Sequence, residues 1–210
     1  MRLKNVKGAK ERINISKYII ISSFDNKGNY KSLFGNTNPI HLEIGTGKGD
    51  FLLEMAKRNP DINFIGIEKY DSVLVRAIEK CDLLELSNIY FIREDAMEIE
   101  KIFDLEIDKI YLNFSDPWPK ERHAKRRLTS PVFLSKYDQI FKNSKIIQMK
   151  TDNRKLFEYS LKSLVENGYK IDEINLDLYE DNIEDNVPTE YETKFVRIGK
   201  KIYRGVFRKN

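Results

Sequence analysis

The stretch His41-Leu42-Glu43-Ile44-Gly45-Thr46-Gly47-Lys48-Gly49-Asp50 constrains the fold more than any other part of the chain. An apolar strand ends beside an acid and runs into glycines at every second position. Phe51, Leu52, Met55 and Ala56 then follow at helical spacing, until Asn59-Pro60 stops them. Strand, tight turn and helix in that order make a βα unit, in which small residues let backbone amides at the head of the helix approach a ligand. A dinucleotide fingerprint would need a glycine where Asp50 stands, and a P-loop would need one at Leu42, so neither nucleotide motif is present.

The same alternation continues downstream. Strand-like runs at 63–67, 89–92, 110–114 and 145–149 are separated by helical stripes such as Val73, Leu74, Ala77, Ile78 and Cys81, or Leu156, Phe157, Leu161, Leu164 and Val165. Ser130-Pro131 opens one helix, Gly168 stops another, and residues 169–178 and 202–207 read as final strands. The expectation is an α/β fold, doubly wound around a mostly parallel sheet, forming a single domain over residues 1–210. Residues 1–35 form a basic N-terminal extension, either packed on that domain or flexible beside it. No run approaches the roughly 20 apolar residues of a membrane helix, which points to a soluble, cytoplasmic protein. One cysteine and two histidines leave no metal site to expect.

Charge is uneven. Residues 171–193 hold nine acids and no Lys or Arg, so the rest of the chain sets 37 basic against 24 acidic residues, a net +13. A cationic body suits a polyanionic partner, because neutralising phosphates releases counterions.

Several residues carry chemistry at the expected strand ends. Glu68 lies 21 residues after Gly47, close to the spacing at which an acid accepts hydrogen bonds from ribose hydroxyls. Asp95, beside Ala96 and past the third strand, could accept from the exocyclic amine of an adenine. After the fourth strand, Asn113-Phe114-Ser115-Asp116-Pro117-Trp118-Pro119-Lys120 sets an acid and an aromatic face in a proline-stiffened loop suited to a planar base. Lys120 to Arg127 then holds five Lys/Arg in eight positions, a grip for phosphates.

GTGKGDF, IGIEK, SDPWPKERHAKRRL, KTDN and TEYETKF together resemble the bacterial tRNA (guanine-N(7))-methyltransferase family, from residue 34 almost to the end of the chain. The resemblance implies the Rossmann-like class I S-adenosylmethionine methyltransferase fold, and a target guanine at position 46 of the tRNA variable loop. It puts Glu43, Gly45, Gly47, Glu68, Asp95, Ala96 and Asp116 on cofactor-contacting positions. Lys120, Asp152, Thr189, Glu190, Tyr191 and Glu192 fall on substrate-binding positions, and Arg122, His123, Lys125, Arg126 and Arg127 on an RNA-contacting stretch. The family usually reads RHHKRR where this chain has Ala124, so no essential role attaches to a second imidazole there.

Guanine nitrogen 7 has an in-plane lone pair and no proton, so it needs no general base, and positioning should dominate catalysis. Asp116, the candidate catalytic residue, and Asp152 could accept from the base's ring NH and amino group. Asp152 and Thr189 could instead be helix caps. The expected partner is tRNA, bound without membrane or metal by a monomer or a homodimer. The alternatives are methylation of a base amino group and a noncatalytic RNA-binding module on the same fold. Asp50, with no acid-base His near the crevice, disfavours a dehydrogenase.

Overall fold

Each short apolar run becomes a strand of one seven-stranded sheet. The structure is a computed structural model that describes residues 6–210 apart from 182 and 184. Strands β1 (Ile40–Ile44), β2 (Asn63–Ile67), β3 (Ile89–Ile92), β4 (Ile107–Asn113) and β5 (Phe141–Thr151) pair in parallel. Strands β6 (Lys170–Asn175) and β7 (Tyr203–Lys209) complete an order of β3-β2-β1-β4-β5-β7-β6, with the β5-β7 and β7-β6 pairs antiparallel. The chain winds outward from β1 to β3, returns to β4, and then winds the other way. Between β1 and β4 lies the switch point, above whose carboxyl edge such sheets bind ligands.

Helices α1 (Ala9–Ile15) and α2 (Tyr30–Phe34) precede the sheet. Between strands come α3 (Asp50–Arg58), α4 (Asp71–Leu84), α5 (Ile99–Ile102), α6 (Pro131–Tyr137) and α7 (Arg154–Glu166), and α8 (Glu190–Arg197) lies before β7. The apolar stripes bury on both faces. Ile13, Phe51, Leu52, Leu74, Ile78 and Cys81 cover one, while Ile99, Phe133, Leu134, Phe157 and Leu164 cover the other. No described helix is long and apolar enough to cross a membrane.

The strand boundaries differ from the sequence pattern where packing and polarity part company. β4 starts three residues before the run read from sequence and ends at Asn113, because Phe114 turns to φ 50°. β5 reaches back through the polar segment Lys142 to Lys145, which carries no β-branched signal. Val165 is exposed rather than inside α7; the inward positions are taken by Ser160 and Ser163, which hydrogen-bond the Thr129 hydroxyl and carbonyl at 2.7 Å each. Gly66 of β2 allows α3 to sit close, since a Cβ there would lie 2.8 Å from Phe91 Cδ1 and 3.0 Å from Leu52 Cδ2.

The described part of the extension packs on the body. Arg12 of α1 pairs with Glu79 of α4 at 2.6 Å, and Ile13 is fully buried. The Phe91 amide donates to the Tyr18 carbonyl at 2.7 Å and the Ile20 amide donates to the Phe91 carbonyl at 2.9 Å, which covers the open edge of β3.

Candidate active site

At the switch point the glycine turn stands over a buried acid. Glu43, 3 % exposed near the end of β1, accepts from the Thr46 hydroxyl at 2.7 Å and from the Asn113 side-chain amide of neighbouring β4 at 2.8 Å. Burial pushes its carboxyl up to about 7, against the opposing pull of those two donors and of Lys150. Asn113 Oδ1 is buried with no hydrogen-bond partner.

The three glycines divide the work. Gly45 and Gly47, at φ 78° and 57°, have nothing within 4 Å of where a Cβ would stand, so the turn opens onto free space there. Gly49 at φ 77° is pressed against α4, where a Cβ would meet Ala77 Cβ at 2.7 Å, so its smallness serves packing. Glu68, past the end of β2, accepts from the Gly47 amide at 3.1 Å and the Tyr70 amide at 2.9 Å. Burial raises its carboxyl while those amides pull it down. Glu68 therefore ties the two turns together and presents the rest of its carboxylate beside the glycines. Asp95 is exposed, accepts from the Met97 amide at 3.0 Å as the cap of a 3-10 turn starting at Ala96, and pairs with Lys69 at 3.4 Å.

Four further segments meet at the ends of β4 and β5. The Phe114 amide donates to the Lys150 carbonyl at 2.8 Å, and the Phe114 ring lies 5.9 Å from that of Phe195 on α8. Phe114 and Trp118, at φ 50° and 41°, are two of the four non-glycine residues with positive φ among the described residues, so backbone strain gathers in this loop. Asp116, between them, is exposed. Asp152 is held by Lys200, whose ammonium also lies 4.6 Å from the centre of the Phe195 ring; Asn153, not Asp152, caps α7 through its side chain. Lys48 of the glycine turn reaches Glu190 at 2.7 Å.

A family model described as "Putative methyltransferase" matches residues 37–205. The tRNA (guanine-N(7)-)-methyltransferase of Lachnoclostridium phytofermentans is 49 % identical over 206 residues, covering 97 % of this chain and 96 % of that protein. That of Bacillus cytotoxicus is 50 % identical over 206 residues, covering 97 % and 95 %. The chain belongs to the tRNA (guanine-N(7)-)-methyltransferase family. Among solved structures, one described as an antibiotic-related methyltransferase superposes with a TM-score of 0.65 at 19 % identity, covering 97 % of this chain and 98 % of that one, a likeness of fold.

Within this tRNA (guanine-N(7)-)-methyltransferase family member, three residues expected on ligands face inward. Arg127 is 8 % exposed, donates to the Pro117 and Trp118 carbonyls at 3.2 and 3.0 Å, and stacks 4.2 Å from the centre of Tyr159. It braces the strained loop and is not available to RNA. Glu192 is fully buried and accepts from Lys150 Nζ at 2.5 Å, the Asn186 amide at 2.6 Å and the Tyr179 hydroxyl at 3.1 Å, so it cannot touch a substrate in this arrangement. Thr189 caps α8 by accepting from the Glu192 amide at 2.9 Å, while the Glu192 carboxylate accepts in return from the Thr189 amide.

Exposure sorts the remaining expected residues. Lys120, Arg122, Lys125, Arg126, Glu190 and Tyr191 are exposed, while half-buried His123 stands edge-on to Trp118 at 5.7 Å. Arg126 lies over the Trp118 ring at 4.8 Å, so that face carries a guanidinium instead of standing open. Sequence reasoning passed over Lys150, whose fully buried ammonium also donates to the Val187 carbonyl at 2.8 Å. Burial pulls its pKa down while Glu192 pulls it up. A lysine with no exposed surface, strand-paired beside Asn113, signals a partner, and the acids of 171–193 are where that partner lay.

Proposed function

We propose that this chain transfers the methyl group of S-adenosylmethionine to nitrogen 7 of a guanine in tRNA, at position 46 of the variable loop as the family resemblance implies. The observation that carries the reading is the buried Glu43–Asn113 pair beneath an open glycine turn at the sheet's switch point, in a chain half identical to the named relatives. Free space over Gly45 and Gly47 and the partnerless Asn113 Oδ1 fit a ligand rich in hydrogen-bond donors.

When bound, S-adenosylmethionine supplies a methyl group made electrophilic by its sulfonium. Glu43 would provide negative charge for the cationic amino-acid part, with Gly45 and Gly47 making room for it. Glu68 would accept from ribose hydroxyls, while Asp95 and Ala96 flank the adenine. Asp116, carried on a strained loop braced by Arg127, would accept from the guanine's ring NH and amino group and hold nitrogen 7 in line. Lys120, Asp152, Glu190 and Tyr191 would be the substrate contacts, as the family resemblance implies. Nitrogen 7 brings its own lone pair, so this chemistry requires neither a general base nor a metal. Exposed Arg122, Lys125 and Arg126 would hold phosphates, and a cytoplasmic location accords with a tRNA substrate.

The test is purified protein with methyl-labelled S-adenosylmethionine and unmodified tRNA. Label should appear as 7-methylguanosine and vanish when the tRNA carries 7-deazaguanine at the target. Label on a base amino group, or none, would replace the reading with amino-methylation or with a noncatalytic RNA-binding module.

A further inference from the structure

Between the glycine turn, α4 and α8 runs an open groove of about 890 Å³, outside the crevice that holds Glu43 and Asn113. Five of its lining residues are cations: Lys48 on the turn, Arg76 and Lys80 on α4, and Lys194 and Arg197 on α8. Only two are acids, Asp50 and Glu190. Spacings of four residues on α4 and three on α8 put each pair on one helix face, so the two walls present positive charge to each other.

These cations are not equally available. Lys80 is held by Asp50 and by the Lys48 carbonyl, which pins α4 to the turn. Lys48 is paired with Glu190, and Arg76 with Glu79, both at 2.7 Å. Lys194 and Arg197 are exposed, and neither has a carboxylate within 4.0 Å among the described residues. Exposed Ile198 and Pro188 lie among the charges.

We propose that this groove, lined by none of the basic stretch Lys120 to Arg127, is a second RNA-backbone site that grips phosphates of the tRNA. The proposal rests on the reading of the chain as a tRNA methyltransferase and adds to it the cations of α4 and α8, which that reading did not use. Charge complementarity selects the partner: the cations are spread along two walls of an open groove, as suits a polyanion passing through, instead of converging on one small anion. Continuity supports it, because Glu190, itself expected on substrate, forms part of the wall and pairs with Lys48 of the glycine turn. Phosphates entering here can exchange with exposed carboxylates at little cost, since exposed ion pairs are weak.

The experiment compares the parent protein with a triple variant, Arg76→Ala, Lys194→Ala and Arg197→Ala, in equilibrium binding of unmodified tRNA from roughly 50 to 200 mM salt. Loss of three phosphate contacts should make the slope of log affinity against log salt shallower by about 2 to 3, and lower affinity by about tenfold or more at the low-salt end. S-adenosylmethionine affinity and the denaturation midpoint should match the parent. Under steady-state conditions KM for tRNA should rise while kcat is kept. A second variant, Lys194→Glu with Arg197→Glu, should weaken binding further. Parent-like slope and affinity in both variants would overturn the groove while the parent still makes 7-methylguanosine, leaving the proposed function intact. Failure of the parent itself to bind or methylate tRNA would overturn the function and the RNA occupant together.

Discussion

Replacing Glu43 by Gln should stabilise the fold at alkaline pH while weakening the site. Glu43 is fully enclosed, and its carboxyl sits at about 7 against 4.5 for the ordinary group. Below pH 4.5 the side chain is protonated in both folded and unfolded chains and adds no pH dependence. From 4.5 to 7 the folded protein keeps a proton that the unfolded chain has released, so Glu43 erodes stability as pH rises. The loss is complete above the folded value. At roughly 1.4 kcal/mol per unit, the shift from 4.5 to about 7 amounts to about 3 kcal/mol.

Glu43→Gln keeps the volume and removes the titration. Thr46 can turn its hydroxyl, and Asn113 can rotate its amide so that the partnerless Oδ1 receives a donor. Denaturant unfolding of parent and variant at intervals from about pH 4.5 to pH 8 reads the difference directly. The variant should gain on the parent by about 3 kcal/mol across that range, with most of the gain accrued by pH 7. Calorimetry should show the reverse for the methyl donor. The parent binds it more tightly as pH rises through 7, releasing a proton as Glu43 ionises beside the cation, whereas the variant binds weakly with no proton release. Stability curves that run parallel from acid to alkaline pH would refute the burial argument for Glu43.

Removing one member of the buried Lys150–Glu192 pair, as in Glu192→Ala, should cost about 3 to 5 kcal/mol in unfolding measurements, and Lys150→Met with Glu192→Met should recover part of that loss; additive losses in the double variant would argue against a coupled pair. Arg127→Ala should lower turnover and protection of the 114–118 loop from hydrogen exchange while leaving the salt slope of tRNA binding unchanged, whereas Arg122→Ala should flatten that slope by roughly 0.7 to 0.9 and leave turnover at saturation alone. Asp116→Asn keeps the shape and one acceptor; the rate at saturating tRNA and S-adenosylmethionine should fall 10- to 1000-fold, about 1.4 to 4 kcal/mol of barrier, and a rate within about twofold of the parent would remove Asp116 from positioning the base.

What could be read from the sequence was whatever a local pattern encodes. The ends of β1 and β2 fell where alternating apolar residues met Glu43-Ile44-Gly45 and Glu68, and Asn153 and Gly168 bound α7 as their backbone preferences require. Function followed from motifs whose members lie close in sequence. Arg127 could not be told from Arg122 or Arg126, because a run of cations says nothing about which one turns inward to a strained loop. Lys150 and Glu192 find each other across 42 residues, and no spacing announces that. Thr189 could be read as a helix cap, but the one buried residue of α8 is an acid, Glu192, which no apolar pattern marks as inward-facing. The open α4–α8 groove was hidden for a related reason: its cations come from three elements that only the sheet order brings together.

The placement of β7 between β5 and β6 bears on when during folding the protein becomes competent. β6 is made before β7 yet cannot join the sheet until β7 has inserted, since β6 pairs with β7 and not with β5. The same insertion flanks the segment Lys150-Thr151 of β5, whose partners on β7 are Arg204 and Tyr203. Lys150 in turn bonds the Phe114 amide through its carbonyl and Glu192 through its ammonium. The acceptor side of the site therefore waits on a strand that follows β1 to β5 in the chain, whereas the glycine turn and the acids of β1 and β2 rest on strands made before it. A partly folded chain would then be able to capture the methyl donor before it could commit a tRNA.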